Sequence, residues 1–233
     1  MANFIPMAGE GQRFRAAGYT KPKPLINVLG EPMIKRVMDN IGYCGYYVLI
    51  AQLDHAAELR EVLPDTSVVW INEKTSGAAC TTLAAEKYIN TSESLLIANC
   101  DQLVDNLGMA FMENWARCEE ADGFLVTFCS QSPNHSYCKL DNRGWVTHVA
   151  EKDPVSHHAN VGMYWWKHGS DYVEYCRQMI KKDIRTNGEF FICPVYNEAI
   201  ADGKKILTCS VDGMHCLGTP EDLEAYVRDT MQV

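Results

Sequence analysis

The chain has no basic run, no Cys-x-x-Cys pair and no apolar stretch of membrane-spanning length. Each absence excludes a class. With 21 Lys and Arg against 30 Asp and Glu, the formal net charge is −9, which argues against a nucleic-acid surface. A spanning helix needs about 20 consecutive apolar residues, and no run here reaches that, which removes a membrane partner. The ten cysteines are scattered, without zinc-like spacing. Cys129 and Cys138 fall in apolar or alternating runs, where a thiol behaves as a small hydrophobe. No charged leader followed by an apolar core and a small-residue cleavage site opens the sequence. Internal repeats, low-complexity tracts and obvious linkers are missing too. These absences predict a reduced, soluble, cytoplasmic protein. What remains is 233 residues, 47% of them apolar, enough for a sizeable core.

Apolar runs of strand length alternate with helical patterns through the first half. Strands are predicted at Tyr46 to Ala51, Val68 to Ile71, Ser94 to Ala98 and Gly123 to Phe128. Helices are predicted at Pro32 to Ile41, Ala56 to Leu63, Gly77 to Ile89 and Leu107 to Glu120. This alternation implies βαβ units and a Rossmann-like, mixed but mainly parallel sheet flanked by helices. Ligands in such sheets sit beyond the carboxyl ends of strands. From Tyr137 the pattern changes to an antiparallel hairpin turning at Asp141 to Gly144, a small subregion suited to an acceptor. A strand from Ala159 to Trp166 follows, with helices from Asp171 to Lys181 and Phe190 to Ala201. A last strand, Ile206 to Val211, precedes a helix from Pro220 to Met231 with Thr219 as its N-cap. The reading is one domain, 1–233, whose halves 1–130 and 131–233 meet near Ser130 to Ser136.

The stretch carrying the chemistry is at the start. An apolar run, Asn3 to Pro6, feeds the loop Met7-Ala8-Gly9-Glu10-Gly11-Gln12-Arg13, and Pro22-Lys23-Pro24 follows. Gly9 and Gly11 let the backbone approach a ligand closely, and successive N–H groups in such a loop form an anion nest. Arg13 adds a fork matched to phosphate oxygens and Lys23 a compact charge held between two prolines. Asn99-Cys100-Asp101 ends a buried strand, where Asp101 either holds a hard cation bridging phosphates or caps the next turn. Gly77-Ala78-Ala79 opens a helix with small residues, permitting a flat base to approach or simply close packing. Glu151-Lys152 ends the hairpin, Asn160-Val161-Gly162 lies in the next strand, and Glu189 precedes a helix within reach of a hydroxyl or amine. His157-His158 has no third ligand at metal spacing and is read as surface or pocket.

These pieces, in this order, resemble the sugar-phosphate nucleotidylyltransferases, the group that includes glucose-1-phosphate thymidylyl- and mannose-1-phosphate guanylyltransferases. The resemblance runs from Ile5 to Leu223 and implies a nucleotide-binding half (1–130) and an acceptor-binding half (131–233). It implies that Met7 to Arg13, Lys23, Glu73, Ser76, Gly77, Ala78 and Asn99 bind the nucleotide. It implies that Glu151, Lys152, Asn160, Gly162 and Glu189 bind the acceptor, and that Arg13, Lys23, Asp101 and Lys152 are catalytic. Magnesium is implied on Asp101. The family's second metal-binding Asp precedes the Gly-Thr-Pro-Glu-Asp-Leu motif by two residues; Cys216 stands there, and Asp212 is the nearby substitute. Glu10 stands where the family usually has a second glycine, and Glu73-Lys74 where it often has a Gln.

The expected reaction is attack of an acceptor phosphate oxygen on the α-phosphorus of a nucleoside triphosphate, with pyrophosphate leaving. A phosphate monoester, with a second pKa near ~6, is already a dianion at neutral pH and needs no general base. The acceptor is expected to be a sugar 1-phosphate, for activated-sugar and surface-polysaccharide precursors. Two other readings stand beside it: a CTP-dependent cytidylyltransferase acting on a phosphorylated alcohol or amino acid, and a catalytically inactive nucleotide-sugar-binding protein. The sequence leaves a homo-oligomer open.

Overall fold

The computed structural model describes residues 1–42, 45–110 and 119–232. Its frame is one nine-stranded mixed sheet. Strand β1 (Ala2–Pro6) lies in the interior. It is flanked in parallel by β4 (Tyr46–Gln52) and β6 (Leu95–Ala98), and β5 (Ser67–Ile71) pairs in parallel with β4 at the edge. Two short strands, β2 (Asn27–Val28) and β3 (Glu31–Pro32), form a separate ribbon between β1 and β4. On the other side of β6 the sheet turns antiparallel. There β11 (His158–Trp166) pairs with β6, with β8 (Gly123–Cys129) and, at Ala159, with β9 (Ser136–Leu140). Strand β10 (Val146–Glu151) completes a hairpin with β9, and β12 (Ile206–Ser210) joins β8 in parallel. A second ribbon pairs β7 (Gln102–Val104) with β13 (Met214–Cys216). The antiparallel part of the sheet is larger than the sequence suggests.

Side-chain alternation explains why the sheet is covered on both faces. Phe4, Val48, Ile50, Leu95 and Ile97 pack on one side with Trp166, Tyr172 and Tyr196. Ile5, Leu49, Ala51, Leu96 and Ala98 pack on the other with Met33, Val37 and Leu223. The first core is anchored by Trp166 stacked on Tyr196 at 4.2 Å, with the Tyr196 hydroxyl donating to the carbonyl of Trp165 at 2.9 Å.

Two helices depart from expectation. The span Gly77 to Ile89 is two helices, Ala78–Leu83 and Glu86–Ile89. Thr81 and Thr82 donate their hydroxyls back to the carbonyls of Gly77 and Ala78, and the chain between the helices tightens to i→i+3 bonds at Ala84 and Ala85. The span Phe190 to Ala201 is helical only over Val195–Ala201. Pro194 disfavours helix for the residue before it, and Phe190 is engaged with the backbone of Ser76 and Ala79. The amphipathic stretch Leu107 to Glu120 is helical at 107–110, and 111–118 lie outside the described residues. Thr219 does cap the C-terminal helix Pro220–Thr230, its hydroxyl accepting from the Asp222 N–H at 3.1 Å. No helix among the described residues is long and apolar enough to cross a membrane. Every described cysteine is a free thiol.

Candidate functional site

The carboxyl ends of β1 and β6 open onto a cleft of about 550 Å³. The loop after β1 leaves the sheet at Met7, whose N–H still bonds the Ile50 carbonyl at 2.8 Å. At Gly11 the chain takes the left-handed conformation, φ 60°, and starts the short helix Gln12–Ala16. A side chain there would also press on Lys23, since a Cβ on Gly11 would stand 3.2 Å from that of Lys23. Lys23 begins a 3₁₀ turn, Lys23–Leu25, whose Pro24 and Leu25 are buried. The glycine loop and the lysine therefore support one another.

Lys23 crosses the cleft to Asp101, Nζ to Oδ2 2.7 Å. Burial alone would lower the lysine's pKa. The Asp101 carboxylate beside it outweighs that, and Lys23 is held well above the ordinary lysine range. Asp101 is fixed in turn by its carbonyl, which accepts from the Leu217 N–H at 2.8 Å. Glu10 accepts from Gln12 and from Lys74 at 2.7 and 3.0 Å, which ties the glycine loop to the segment before Gly77 and keeps its carboxyl below the usual range.

The hairpin side of the cleft is built by β9, β10 and β11. The hairpin register sets Glu151 opposite Ser136, whose hydroxyl donates to it. Burial pushes the Glu151 carboxyl up. Lys152 is left-handed at φ 58°, with its ammonium 4.6 Å from the centre of the Phe191 ring. Asn160 is buried and caps the Gly162 N–H, and the Gly162 carbonyl accepts from the Asn99 N–H at 2.8 Å. The strand register shifts between Asn160 and Tyr164, and Asn160, Gly162 and Tyr164 line the cleft around that irregularity.

Of the residues singled out in the sequence, Met7 to Arg13, Lys23, Gly77, Ala78, Asn99, Asp101, Glu151, Lys152, Asn160, Gly162 and Glu189 line this one cleft. Three do not. Glu73 and Ser76 lie outside the lining; Ser76 spends its carbonyl on the Phe190 N–H at 2.8 Å. Gly77, at φ 130°, is packed so that a Cβ would stand 2.4 Å from the Phe190 carbonyl oxygen, so its lack of a side chain serves helix–loop packing. Asp212 is likewise outside the lining, its carboxylate taken by the Asn106 amide. The sequence reading missed Gln102, His135, Ser136 and Phe191, which also face the cleft. Counting pairs back from the turn at Asp141 to Gly144 puts His135 opposite Glu151; the register shift between Val146 and His148 brings Ser136 there instead.

A metal here would rest on Asp101. Cys216, near the same carboxylate, is pushed up to about 12, by burial first and then by Asp101, and stays a thiol. No group of three His, Cys, Asp or Glu among the described residues forms a cage. A single hard oxygen donor fits magnesium, which commonly takes one or two carboxylates and completes its shell with phosphate and water.

Comparisons with known proteins agree with this geometry. The bifunctional protein GlmU of Staphylococcus saprophyticus is 31% identical over 149 residues, 62% of this chain and 32% of that protein, so the chain spans about a third of its length. The UTP–glucose-1-phosphate uridylyltransferase AglF of Haloferax volcanii is 22% identical over 95% of this chain and 93% of its own. The crystal structure of a nucleoside-diphosphate-sugar pyrophosphorylase from Vibrio cholerae RC9 superposes with a TM-score of 0.83 at 25% identity, covering 97% of this chain and 99% of that one. The inositol-1-phosphate CTP transferase of T. maritima shares the fold, with a TM-score of 0.77 at 16% identity, 99% of this chain and 94% of that one being covered. Residues 3–232 match the nucleotidyl transferase family, and the chain belongs to it.

Proposed function

We propose that the cleft transfers a nucleoside monophosphate from a nucleoside triphosphate to a phosphorylated acceptor, a sugar 1-phosphate, and releases pyrophosphate. The observation that carries this reading is the convergence of the glycine loop, Lys23 and Asp101 on one cleft with Glu151, Lys152 and Asn160. In the reaction an acceptor phosphate oxygen bonds to the α-phosphorus while the bond to the bridging oxygen breaks, and pyrophosphate departs with that electron pair. The acceptor dianion needs no proton removed, so the protein's work is positioning and charge stabilisation. The loop N–H groups and Arg13 hold the β- and γ-phosphates and neutralise the leaving group. Lys23 meets the α-phosphate, and Lys152 holds the acceptor phosphate. Glu151, Asn160 and Glu189 bind the rest of the acceptor. Magnesium held by Asp101 would add charge neutralisation on the phosphate oxygens. The halves 1–130 and 131–233 of one domain then serve nucleotide and acceptor respectively, in a soluble cytoplasmic enzyme making activated sugars. That a uridylyltransferase for glucose 1-phosphate matches over nearly the whole chain supports the choice of acceptor.

The test is pyrophosphate release with magnesium, crossing four nucleoside triphosphates against sugar 1-phosphates and phosphorylated alcohols. A signal with a sugar 1-phosphate supports the reading. A signal confined to CTP with a phosphorylated alcohol selects the cytidylyltransferase instead. Nucleotide binding without any release selects an inactive binding protein.

A further inference from the structure

Lys23 and Asp101 reach each other by two rigid routes. Lys23 comes from a turn set between Pro22 and Pro24 and backed by Gly11. Asp101 comes from the end of β6, and its carbonyl is bonded to the β13 side through the Leu217 N–H at 2.8 Å. The side chains meet at 2.7 Å with only 20% and 17% of their surfaces exposed. A Cβ on Gly218 would stand 2.9 Å from Asp101 Oδ2, so the carboxylate is closed in on that side as well. A pair this sheltered is screened far less than an exposed one, and removing either partner leaves the other charge uncompensated.

Both members of the pair are groups that the transfer reaction uses, the lysine on phosphate and the aspartate on metal. A cation approaching Asp101 alone meets the positive charge of Lys23. A phosphate approaching Lys23 alone meets the negative charge of Asp101. The substitute carboxylate read from the sequence does not relieve the conflict, because Asp212 is held by Asn106 outside the cleft. We propose that Lys23 and Asp101 mask each other in the ligand-free cleft, so that neither metal nor phosphate binds well alone and the protein takes up both together as a metal–nucleotide complex. That complex is the ligand that opens the pair at no loss of partners, since its phosphate oxygens take Lys23 as its cation takes Asp101. The inference rests on the nucleotidyl-transfer reading for the roles of the two residues.

Titration of the purified chain with manganese alone, followed by electron paramagnetic resonance, and with inorganic pyrophosphate alone in a chelator, followed by calorimetry, tests the masking. Wild-type protein is expected to bind manganese more weakly than about 1 mM. Lys23→Gln should gain at least ~10-fold in manganese affinity, and Lys23→Gln/Asp101→Asn should lose that gain. Asp101→Asn should gain at least ~10-fold for pyrophosphate. Glu189→Gln removes the same charge from the same cleft and should gain much less, which separates unmasking from the general field. Far-UV circular dichroism checks each fold, with Lys23→Met in reserve. Tight manganese binding by the wild type, no gain in the lysine variants, or equal gains in Asp101→Asn and Glu189→Gln would each overturn the proposal. None of these readings involves turnover, so an inactive substrate panel with intact masking overturns the transfer reading and leaves this one standing.

Discussion

Gly162 makes the tightest demand of any single residue in the cleft. It sits at φ 81°, and a Cβ there would stand 1.9 Å from Gln102 Oε1 and 2.4 Å from Asn99 Nδ2. Gly18 has a similar φ of 89° with nothing within 4 Å. Gly18→Ala therefore pays backbone strain alone, about 1 kcal/mol, whereas Gly162→Ala adds a collision and should cost about 2–3 kcal/mol. Urea unfolding of the two variants checks this, and equal losses would show that the Asn99–Gln102 pair yields freely. Lys23→Ala and Asp101→Ala should each reduce turnover by roughly 10²–10³-fold with the fold retained; a near-normal rate in pyrophosphate release would remove that residue from the mechanism. At this scale the sequence was most legible where chemistry and backbone demand coincide. Glycines, an arginine and a proline-bracketed lysine leave few structural alternatives, and they converge in space. Asp212 was not legible, because its neighbour Asn106 lies 106 residues earlier and no local pattern announces that pairing. Glu73 and Ser76 precede a glycine that faces Phe190 and lie outside the cleft lining.

Helix boundaries separate local signals from tertiary ones. Thr219 was readable as a cap because a Thr before Pro-Glu-Asp is a self-contained start signal. Its hydroxyl accepts from the Asp222 N–H at 3.1 Å and interacts with the Asp222 carboxylate at 2.8 Å. Thr219→Ala should cost about 1 kcal/mol, and Thr219→Ser should restore most of it. Denaturant midpoints of the two variants check this, and an unchanged midpoint in Thr219→Ala would mean that the helix is held by Leu223 packing alone. By contrast, the break after Leu83 follows from hydroxyls that turn inward, and composition alone does not reveal whether a helical threonine bonds its own backbone or water. The late start at Val195 was available from Cys193-Pro194, had the proline been weighed above the apolar run around it. The β7–β13 ribbon lay beyond reach, since its three-residue strands carry almost no pattern and are paired across more than a hundred residues.

For the whole molecule, the alternating first half gave the parallel strands and the two-faced core, because strand–helix alternation leaves one economical topology. The antiparallel side depends on β11 serving three neighbours, a sheet-level fact that no single segment encodes. Global stability against pH also belongs to this scale. Burial lowers the pKa of His55 and of His135 below the ordinary histidine value of 6.5. For each, the unfolded chain binds the proton first, so the stability contributed is present above 6.5 and lost as pH falls through the folded value. Burial raises Glu151 above 4.5, with the opposite sign: the folded chain takes that proton first, and stability is gained as pH falls through the raised value towards 4.5. Lys23, raised above 10.5, contributes below that pH and loses its contribution only in strong alkali, as pH rises through its folded value. In the histidine range the two buried rings therefore set the loss, while Glu10, held below 4.5, adds to it only further into acid, where Glu151 opposes it. His55→Gln should flatten the loss of stability between about pH 7.5 and 5.5, read as urea midpoints at the two pH values, and Glu151→Gln should remove the gain that builds as pH falls towards 4.5. His55 is the sharper probe, because its Nδ1 is buried without a partner among the described residues, so protonation places a charge where nothing receives it. An identical slope in wild type and His55→Gln would mean that this ring reaches water on protonation, and that the packing of the helix Ala56–Val62 opens before the rest of the fold.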